Sequence, residues 1–459
     1  MRSPDGETRR TFTDSVRTRA RGRKDAADAP EQRNERPAPC TMSDGRAYAA
    51  SLLDPDFVRT QFPAFSEPTL RDQAFFENAG GSYACGAVIQ CLHEYYRRLK
   101  VQPYYLFAAS TEAGEWMNAA RARLAEYLGV SAAEVHFGPS TSQNTYVLAQ
   151  ALRTLLRPGD EIIVTNQDHE ANSGVWRRLA AHGAVIKEWR VDPESGLLDV
   201  ARLDDLLSRR TRLLTFPHAS NIVGHINPVA DIVARAHAAG ALTVVDGVSW
   251  APHGLPDVRE LGADIYLISL YKTYGPHQGV MVMSPRLVEQ LGNEGHSFNA
   301  HEPFKRLVPA GPDHAQVAAA RGVAEYLDTL DARHHPGASP GDRPHRMREA
   351  LRAAELPLLA RLLGFLAHRR DIRVLGPTHA AQRAATVAFL PLSIQPRELA
   401  GRLARRGFMI GHGNFYAVSL LEAMNVDPER GVARLSFVHY TTAAELEGLI
   451  EALEASLRG

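Results

Sequence analysis

ALTVVDGVSWAPHGLPDVRELGADIYLISLYKTYGPHQGVMVM, residues 241–283, is the stretch that best predicts the architecture of this chain. It holds three short apolar runs; the first ends at Asp246, and Lys272 follows the second. Short apolar runs that end at polar residues are typical of buried strands in an α/β sheet. Ligands of such sheets bind in the crevice at the carboxyl ends of the strands. The sequence therefore predicts that Asp246 and Lys272 lie together at that edge.

An acid and a lysine at one sheet edge are the two groups that pyridoxal phosphate needs from a protein. The lysine forms a Schiff base with the aldehyde of the cofactor, and the carboxylate keeps its ring nitrogen protonated. Partial burial or cationic neighbours can lower the pKa of the lysine enough to make it a nucleophile near neutral pH. The alternative is that Asp246 caps a helix and Lys272 is a solvated loop residue. These two residues alone do not separate the two interpretations.

Strand and helix patterns alternate on the N-terminal side of this stretch. Strand patterns at EIIVT, AVIKEWRV and RLLTF are followed by helical or turn segments, and a helix at 229–239 leads into the Asp246 strand. This alternation predicts a mainly parallel sheet that is covered on both faces. No glycine-rich dinucleotide fingerprint and no Walker loop follows any strand, which removes the common nicotinamide and nucleotide sites.

Two further segments place polar or small residues at strand-to-helix junctions. In VHFGPSTSQNTYVLAQ, Ser140, Thr141 and Ser142 open a helix, whose free N–H groups and dipole can bind a phosphate; ordinary N-capping is the alternative. In FFENAGGSY, the paired glycines after Asn78 let a ligand approach the backbone closely.

Composition narrows the class of protein. Hydrophobic content of 44% and charged content of 23% are ordinary for a globular enzyme. The 52 basic and 52 acidic residues cancel, so no overall field favours nucleic acid or an anionic membrane. No apolar run approaches the length of a membrane helix. Cys40, Cys85 and Cys91 show neither zinc-type spacing nor a disulfide framework. We therefore expect no nucleic-acid partner, no membrane anchor, no metal site and a cytoplasmic location.

The chain divides into three parts by composition. Residues 1–42 contain almost no large apolar residues, so we expect a disordered tail, with Met42 as an alternative natural start of translation. Residues 43–330 are expected to form a large cofactor-binding domain with a short N-terminal lead-in. After the His-, Pro- and Gly-rich segment ARHHPGASPGDRPHR, strand and helix patterns resume, and residues 331–459 are expected to form a smaller α+β domain.

In these motifs the chain resembles the class V aminotransferase family, the cysteine desulfurase-like branch of fold-type I pyridoxal-phosphate enzymes. The resemblance extends from about Phe57 to Leu457 and is closest to a subgroup of cysteine desulfurase-like proteins. It is carried most clearly by three segments that agree in order and spacing: Glu77-Asn78-Ala79-Gly80-Gly81, Tyr271-Lys272 and Gly413-Asn414-Phe415-Tyr416-Ala417. It implies an α/β fold of that type, with a mainly parallel, doubly covered sheet.

The resemblance also implies which residues hold pyridoxal phosphate. Lys272 matches the Schiff-base lysine, Asp246 matches the acid at the ring nitrogen, and His169 matches the ring that stacks on the cofactor. Four hydroxyl-bearing residues match phosphate contacts of the family, and these are Thr141, Ser142, Ser269 and Tyr271. Asn221 matches the residue that bonds the phenolic oxygen, and Ser249 stands where many relatives have Gln or His near that oxygen.

The substrate side of the site is implied in the same way. Arg434 matches the arginine that holds a substrate α-carboxylate, a task suited to its bidentate fork. Asn78 and Gly80 are expected to contact the substrate. Tyr416 stands where true cysteine desulfurases carry the cysteine that takes up sulfur, and no cysteine follows Cys91. We expect Tyr416 to line the pocket as a catalytic residue.

The expected activity is chemistry at the α-carbon of an amino acid or small amine, in a homodimer. A threonine that many relatives donate to the partner subunit is matched here by Pro312. Two alternatives stay open. The chain could be a cysteine desulfurase that delivers sulfur directly to an acceptor, or a non-catalytic, cofactor-binding regulatory protein.

Overall fold

The structure, a computed structural model, describes residues 53–458. The expected tail at 1–42 lies outside the described residues. The strands are β1 (Ala74–Phe76), β2 (Val135–Gly138), β3 (Glu161–Thr165), β4 (Val185–Trp189), β5 (Thr211–Pro217), β6 (Leu242–Asp246), β7 (Ile265–Ser269), β8 (Gly279–Met283), β9 (Ile372–Val374), β10 (Thr386–Pro391), β11 (Phe408–Gly413) and β12 (Val432–Ser436).

Helices separate most of these strands, as the alternating pattern predicts. They are α1 (Pro55–Thr60), α2 (Gly86–Glu94), α3 (Ala108–Leu128), α4 (Thr141–Arg153), α5 (Glu170–Arg177), α6 (Val200–Leu206), α7 (Val229–Ala239), α8 (Val258–Leu261), α9 (Pro285–Gln290), α10 (His314–Ala319), α11 (Arg321–His334), α12 (Arg343–Ala367), α13 (Pro396–Ala404), α14 (Val418–Ala423) and α15 (Ala443–Arg458).

A seven-stranded sheet in the order β2-β8-β7-β6-β5-β3-β4 forms the centre of the fold. The strands from β7 to β4 are parallel to one another, and their side chains are mostly buried on both faces. The α/β class and the mainly parallel sheet are thereby confirmed. Asp246 ends β6, and β7 beside it leads into the turn that carries Lys272.

The strand β8 departs from this parallel order, because it is antiparallel to both β7 and β2. Residues 270–278 connect β7 to β8, which is too short for the crossover of a dozen or more residues that a parallel pair requires. Since β2 is antiparallel to β8, it runs in the same direction as β7. Its last residue, Gly138, pairs with Gly279, which also pairs with Ser269. The start of α4 thus lies beside the end of β7.

A second sheet has five strands in the order β1-β11-β12-β10-β9. Its first strand comes from the N-terminal part of the chain: β1 pairs in parallel with β11, with Ala74 opposite Phe408. This pairing carries the segment that follows β1 to the edge of the C-terminal strands, where Glu77 bridges to Ser436. The described residues belong to one compact unit, so the division into two domains at residue 330 stays a prediction.

The linker ARHHPGASPGDRPHR is shorter than the sequence suggests, because α11 continues to His334 and α12 begins at Arg343. Both histidines have partners in the fold: the Asp54 amide donates to His334 Nε2 at 2.8 Å, and His335 Nδ1 lies 3.1 Å from Asp331 Oδ1. Within residues 53–458, no group of His, Cys, Asp and Glu side chains is placed to hold a metal ion. None of the helices described has the length and apolar character needed to cross a membrane.

Candidate active site

Lys272 and Asp246 lie at neighbouring strand ends, as the sequence predicts. Lys272 ends a short 3-10 turn, and the buried Asp246 accepts a hydrogen bond from the Val248 amide at 2.9 Å. Burial raises the pKa of Asp246 above its usual range, although the Val248 amide and Lys272 oppose that shift. Burial lowers the pKa of Lys272 to about 8; nearby Arg434 adds to that effect, whereas Asp246 and Glu77 oppose it. The Lys272 amine and the buried Asp246 carboxyl group therefore influence each other's pKa at this edge of the sheet.

His169 is the N-cap of α5, and its Nδ1 accepts a hydrogen bond from the Ala171 amide at 3.1 Å. Burial, together with repulsion from Lys272 and Arg434, lowers the pKa of His169 to about 4. The ring is therefore neutral at physiological pH. Since Lys272 and Arg434 both lower the pKa of His169, the histidine lies within electrostatic reach of both cations. A flat, neutral ring at this position can stack on an aromatic ligand.

The buried neighbour Asp168 holds the backbone before His169 in place. Thr165 Oγ1 donates to Asp168 Oδ2 at 2.8 Å, and Asn172 Nδ2 donates to Asp168 Oδ1 at 3.0 Å. The Asn172 carbonyl side-chain oxygen accepts from Trp176 Nε1 at 3.2 Å. This network is buried, and it links the end of β3 to α5 under the histidine. Asp168 and Asn172 therefore have a structural role in the motif, because they fix the backbone on either side of His169.

Hydroxyl groups and a helix N-terminus lie together at the end of β7. Ser140 caps α4 and accepts from the Gln143 amide at 3.2 Å. Thr141 Oγ1 lies 2.8 Å from Ser269 Oγ, and Ser142 is exposed beside them. A helix N-terminus with hydroxyl donors favours a bound phosphate. The structure thus brings together three of the four residues that the resemblance assigns to phosphate.

Tyr271, the fourth, is close to the same edge but has a neighbour that the sequence did not single out. Its ring stacks on His277, with ring centroids 4.8 Å apart and an interplanar angle of 13°. The Tyr271 carbonyl accepts hydrogen bonds from the Ser82 amide at 2.9 Å and from Ser82 Oγ at 3.1 Å. Tyr271 is therefore held by Ser82, in the segment after β1, and by His277 of its own loop.

Asn221 faces the C-terminal loop. Its Nδ2 donates to the Phe415 carbonyl at 3.0 Å, whereas its buried Oδ1 has no hydrogen-bond partner in the described part of the chain. Ser249 lies on another side of Lys272, and both residues line a small cavity of about 10 Å³. A volume of that size holds about one water molecule.

Arg434 lies on β12 and has a partner that the sequence analysis missed. Its Nη2 donates to Glu77 Oε1 at 2.7 Å, and its Nη1 donates to the Asn221 carbonyl at 3.3 Å. The guanidinium carbon lies 3.8 Å from the centroid of the Phe415 ring. The arginine that the resemblance assigns to a substrate carboxylate thus has an acid as its partner, and β1 has to pair with β11 before the two residues meet.

The loop from Gly413 to Ala417 places Tyr416 over the site. Phe415 and Tyr416 both have positive φ angles, 52° and 56°, which costs about 1–2 kcal/mol for each non-glycine residue. The Tyr416 carbonyl accepts from the Glu170 amide at 2.8 Å, which ties the loop to the start of α5. The Tyr416 side chain is 70% exposed, and its ring centroid lies 5.3 Å from that of His169.

Asn78 forms hydrogen bonds beside Lys272, and Gly80 lies against the side chain of Glu77. Tyr440 donates its hydroxyl to Asn78 Oδ1 at 2.7 Å, and Asn78 Nδ2 donates to the Lys272 carbonyl at 3.4 Å. A Cβ atom added at Gly80 would lie 2.5 Å from Glu77 Oε1. Asn78 therefore lies beside Lys272 and Gly80 beside Glu77, and their expected contact with a substrate stays a prediction.

Comparison with known proteins places this geometry in a family. The family model for aminotransferase class V matches residues 74–332 and 346–449. The chain is 35% identical to the aminotransferase-like protein FGM3 of Gibberella zeae over 89% of this chain and 100% of that protein. It is 31% identical to a probable cysteine desulfurase of Pseudomonas aeruginosa over 87% of this chain and 97% of that protein.

A solved structure agrees with these relatives. The crystal structure of the cysteine desulfurase CsdA of Escherichia coli superposes with a TM-score of 0.74 at 26% identity, covering 88% of this chain and 98% of that one. The resemblance that the motifs indicated is confirmed, and so is the enzyme class. The chain belongs to the aminotransferase class V family of pyridoxal-phosphate-dependent enzymes.

Proposed function

We propose that this enzyme acts at the α-carbon of an amino acid or small amine, with Lys272 as the residue that holds the cofactor and then moves the proton. The observation that carries the proposal is the position of the buried Asp246 within electrostatic reach of Lys272, whose pKa is lowered to about 8. A lysine with such a pKa can act as a nucleophile and as a general base near neutral pH.

The residues around Lys272 fit pyridoxal phosphate. The start of α4, with Thr141 and Ser269, would hold the phosphate, and the neutral ring of His169 would stack on the cofactor. The buried Asn221 Oδ1, which lacks a partner among residues 53–458, leaves capacity for a polar ligand atom. A protonated ring nitrogen beside Asp246 would favour the charged form of that acid, which burial alone disfavours.

When bound, pyridoxal phosphate supplies an aldehyde that reacts with amines and a protonated ring that accepts electrons from a broken α-bond. Lys272 Nζ would take or return the proton at the substrate α-carbon. Arg434 would orient the substrate α-carboxylate, and the exposed phenol of Tyr416 would donate a hydrogen bond from above His169. Which bond to the α-carbon breaks would depend on how these residues orient the substrate.

The direct test is to incubate purified holoenzyme with a panel of amino acids and amines while recording its visible spectrum and analysing products. A change of spectrum with turnover of at least one amine supports the proposal. A spectrum that no member of the panel alters, in protein that does contain cofactor, would favour the non-catalytic alternative.

We further propose that the enzyme works as a homodimer in the cytoplasm. Tyr105, Leu106 and Phe107 form an exposed apolar segment, with Leu106 fully exposed, and an apolar segment of this kind favours association. Cys85 and Cys91 are buried free thiols, which is usual in a reducing compartment.

Uptake of pyridoxal phosphate by cofactor-free protein should accelerate as pH rises through about 8. Burial and Arg434 lower the pKa of Lys272 to about 8, and only the neutral amine attacks the aldehyde. Below that pH most of the amine carries a proton, and above it most is free. The rise in cofactor absorbance, followed after mixing across this pH range, measures the effect. A midpoint near 10.5, the ordinary value for lysine, would contradict it.

Cysteine should not be a fast sulfur donor for this enzyme. The relatives named as cysteine desulfurases favour that activity, but the residue at the sulfur-carrying position is Tyr416, and a phenol cannot carry a persulfide. We expect sulfide release from cysteine well below about 1 per second, a rate typical of enzymes. Release at or above that rate, with alanine formed, would establish the desulfurase alternative.

On the true substrate, Tyr416→Phe should lower turnover about 10-fold, the effect of losing one useful hydrogen bond. The substitution keeps the ring that lies beside His169, so packing of the loop is retained. Tyr146→Phe, at another exposed tyrosine, is the matched control. Full activity of Tyr416→Phe would leave Tyr416 with a packing role only.

A further inference from the structure

The acid Glu77 stands at the end of β1, where it forms an ion pair with Arg434. The distance from Arg434 Nη2 to Glu77 Oε1 is 2.7 Å, and the two side chains are 3% and 25% exposed. The resting site therefore already contains a carboxylate on the guanidinium that we propose for the substrate. Because this pair also shifts the pKa of Lys272, it lies within electrostatic reach of the reacting amine.

Two glycines leave the space that the Glu77 carboxylate occupies. A Cβ atom added at Gly80 would lie 2.5 Å from Glu77 Oε1, and one added at Gly411 would lie 2.5 Å from Glu77 Oε2. At both positions, the three nearest atoms belong to the side chain of Glu77. Any larger residue at either place would push the carboxylate away, so its position depends on both glycines.

The ion pair leaves hydrogen-bonding capacity unused on both sides. Arg434 Nε and Glu77 Oε2 are buried, and neither has a hydrogen-bond partner among residues 53–458. A buried ion pair is most stable when every donor and acceptor is satisfied. Hydrogen-bonding atoms without partners on both side chains are expected if the ion pair with Glu77 is one of two arrangements of the Arg434 side chain.

A substrate carboxylate would meet an arginine whose charge is already cancelled. If Glu77 stayed in place, two anions would share one buried cation, and their mutual repulsion would be large in a site of low dielectric. If Glu77 turned away, Arg434 would regain its full charge and its bidentate fork. Since Glu77 is one-quarter exposed at the rim of the pair, it has a path toward solvent.

We propose that Glu77 is a specificity-determining residue that competes with the substrate carboxylate for Arg434. It occupies the guanidinium in the resting enzyme, and an incoming carboxylate has to displace it. Glu77 thereby reduces the advantage that an α-carboxylate gives an amino acid over a plain amine. This inference rests on the proposed role of Arg434 in substrate binding.

The test measures binding of propionate, a simple carboxylate, to the holoenzyme by calorimetry. In Glu77→Gln we expect the dissociation constant to fall by about 10- to 100-fold, the range that corresponds to the net effect of a hydrogen bond to a charged group. The ratio of kcat/KM for an amino acid substrate to that for the matching amine should rise by a similar factor. Glu398→Gln, at an exposed acid paired with Arg402, should change neither quantity.

Gly411→Ala provides an independent variant that keeps both charges. Its added methyl group should move the Glu77 carboxylate off Arg434, so propionate should again bind more tightly than in the wild type. This variant keeps the proposal testable even if Glu77→Gln does not fold. If both variants fold and bind propionate within two-fold of the wild type, Glu77 does not compete for Arg434.

The double variant Glu77→Gln/Arg434→Gln separates this inference from the proposed function. It removes both charges of the pair together, which buried ion pairs often tolerate. If the double variant loses the gain seen in Glu77→Gln, both Arg434 as the carboxylate site and Glu77 as its competitor are supported. If it binds propionate as tightly as Glu77→Gln, the carboxylate does not bind at Arg434, and the proposed substrate contact fails. A loss in the double variant without any gain in Glu77→Gln overturns the inference about Glu77 alone.

Discussion

Lys272→Ala is expected to lower turnover by about 10⁴-fold, at the upper end of the range for losing a positioned general base. The variant removes the Lys272 amine, which lies within electrostatic reach of the buried Asp246 and has a pKa of about 8. Borohydride reduction should attach the cofactor covalently to Lys272 in the wild type and leave the variant unlabelled. Peptide mass analysis locates the attached cofactor. Turnover on the substrate found in the amine panel gives the second measurement.

The control for this prediction is Lys305→Ala, which removes an exposed lysine of a 3-10 turn elsewhere in the chain. We expect its labelling pattern and its turnover to match those of the wild type. Labelling of Lys272→Ala at another lysine, with turnover retained, would mean that Lys272 is not the residue that holds the cofactor.

Asp246→Asn should lower turnover by about 10²- to 10³-fold, the size found when one preorganised polar group is removed from an active site. Asparagine has nearly the same shape, so the hydrogen bond from the Val248 amide can persist. The buried negative charge is lost, however, and with it the partner that would keep a ring nitrogen protonated. We expect borohydride still to attach the cofactor to Lys272, because the lysine is intact.

Comparing turnover with cofactor content in Asp246→Asn separates chemistry from binding. Asp231→Asn, in the exposed first turn of α7, is the matched control and should behave as the wild type does. Near-normal turnover of Asp246→Asn would show that another acid supports the ring nitrogen.

Much of the central sheet can be predicted from the sequence, because most of its strands are local runs rich in apolar residues. That pattern predicts the positions of Asp246 and Lys272 at one edge and the helix start at Thr141. The antiparallel direction of β8 could not be predicted from the residues of that strand. It follows from the short connection at 270–278, which no pattern inside the strand itself encodes.

The residues proposed for the cofactor side of the site could therefore be predicted from the sequence alone, through strand ends, a helix N-terminus and motifs in register with a known family. The arrangement of the residues proposed for the substrate side was decided by tertiary structure. Glu77 and Arg434 meet because β1 pairs with β11, which lies far from it along the chain, with Ala74 opposite Phe408. Phe415 covers Arg434 because the backbone of its loop adopts positive φ angles. Contacts between distant segments depend on pairing and packing, whereas strand ends and helix starts are local, and for that reason only the local features could be predicted from the sequence.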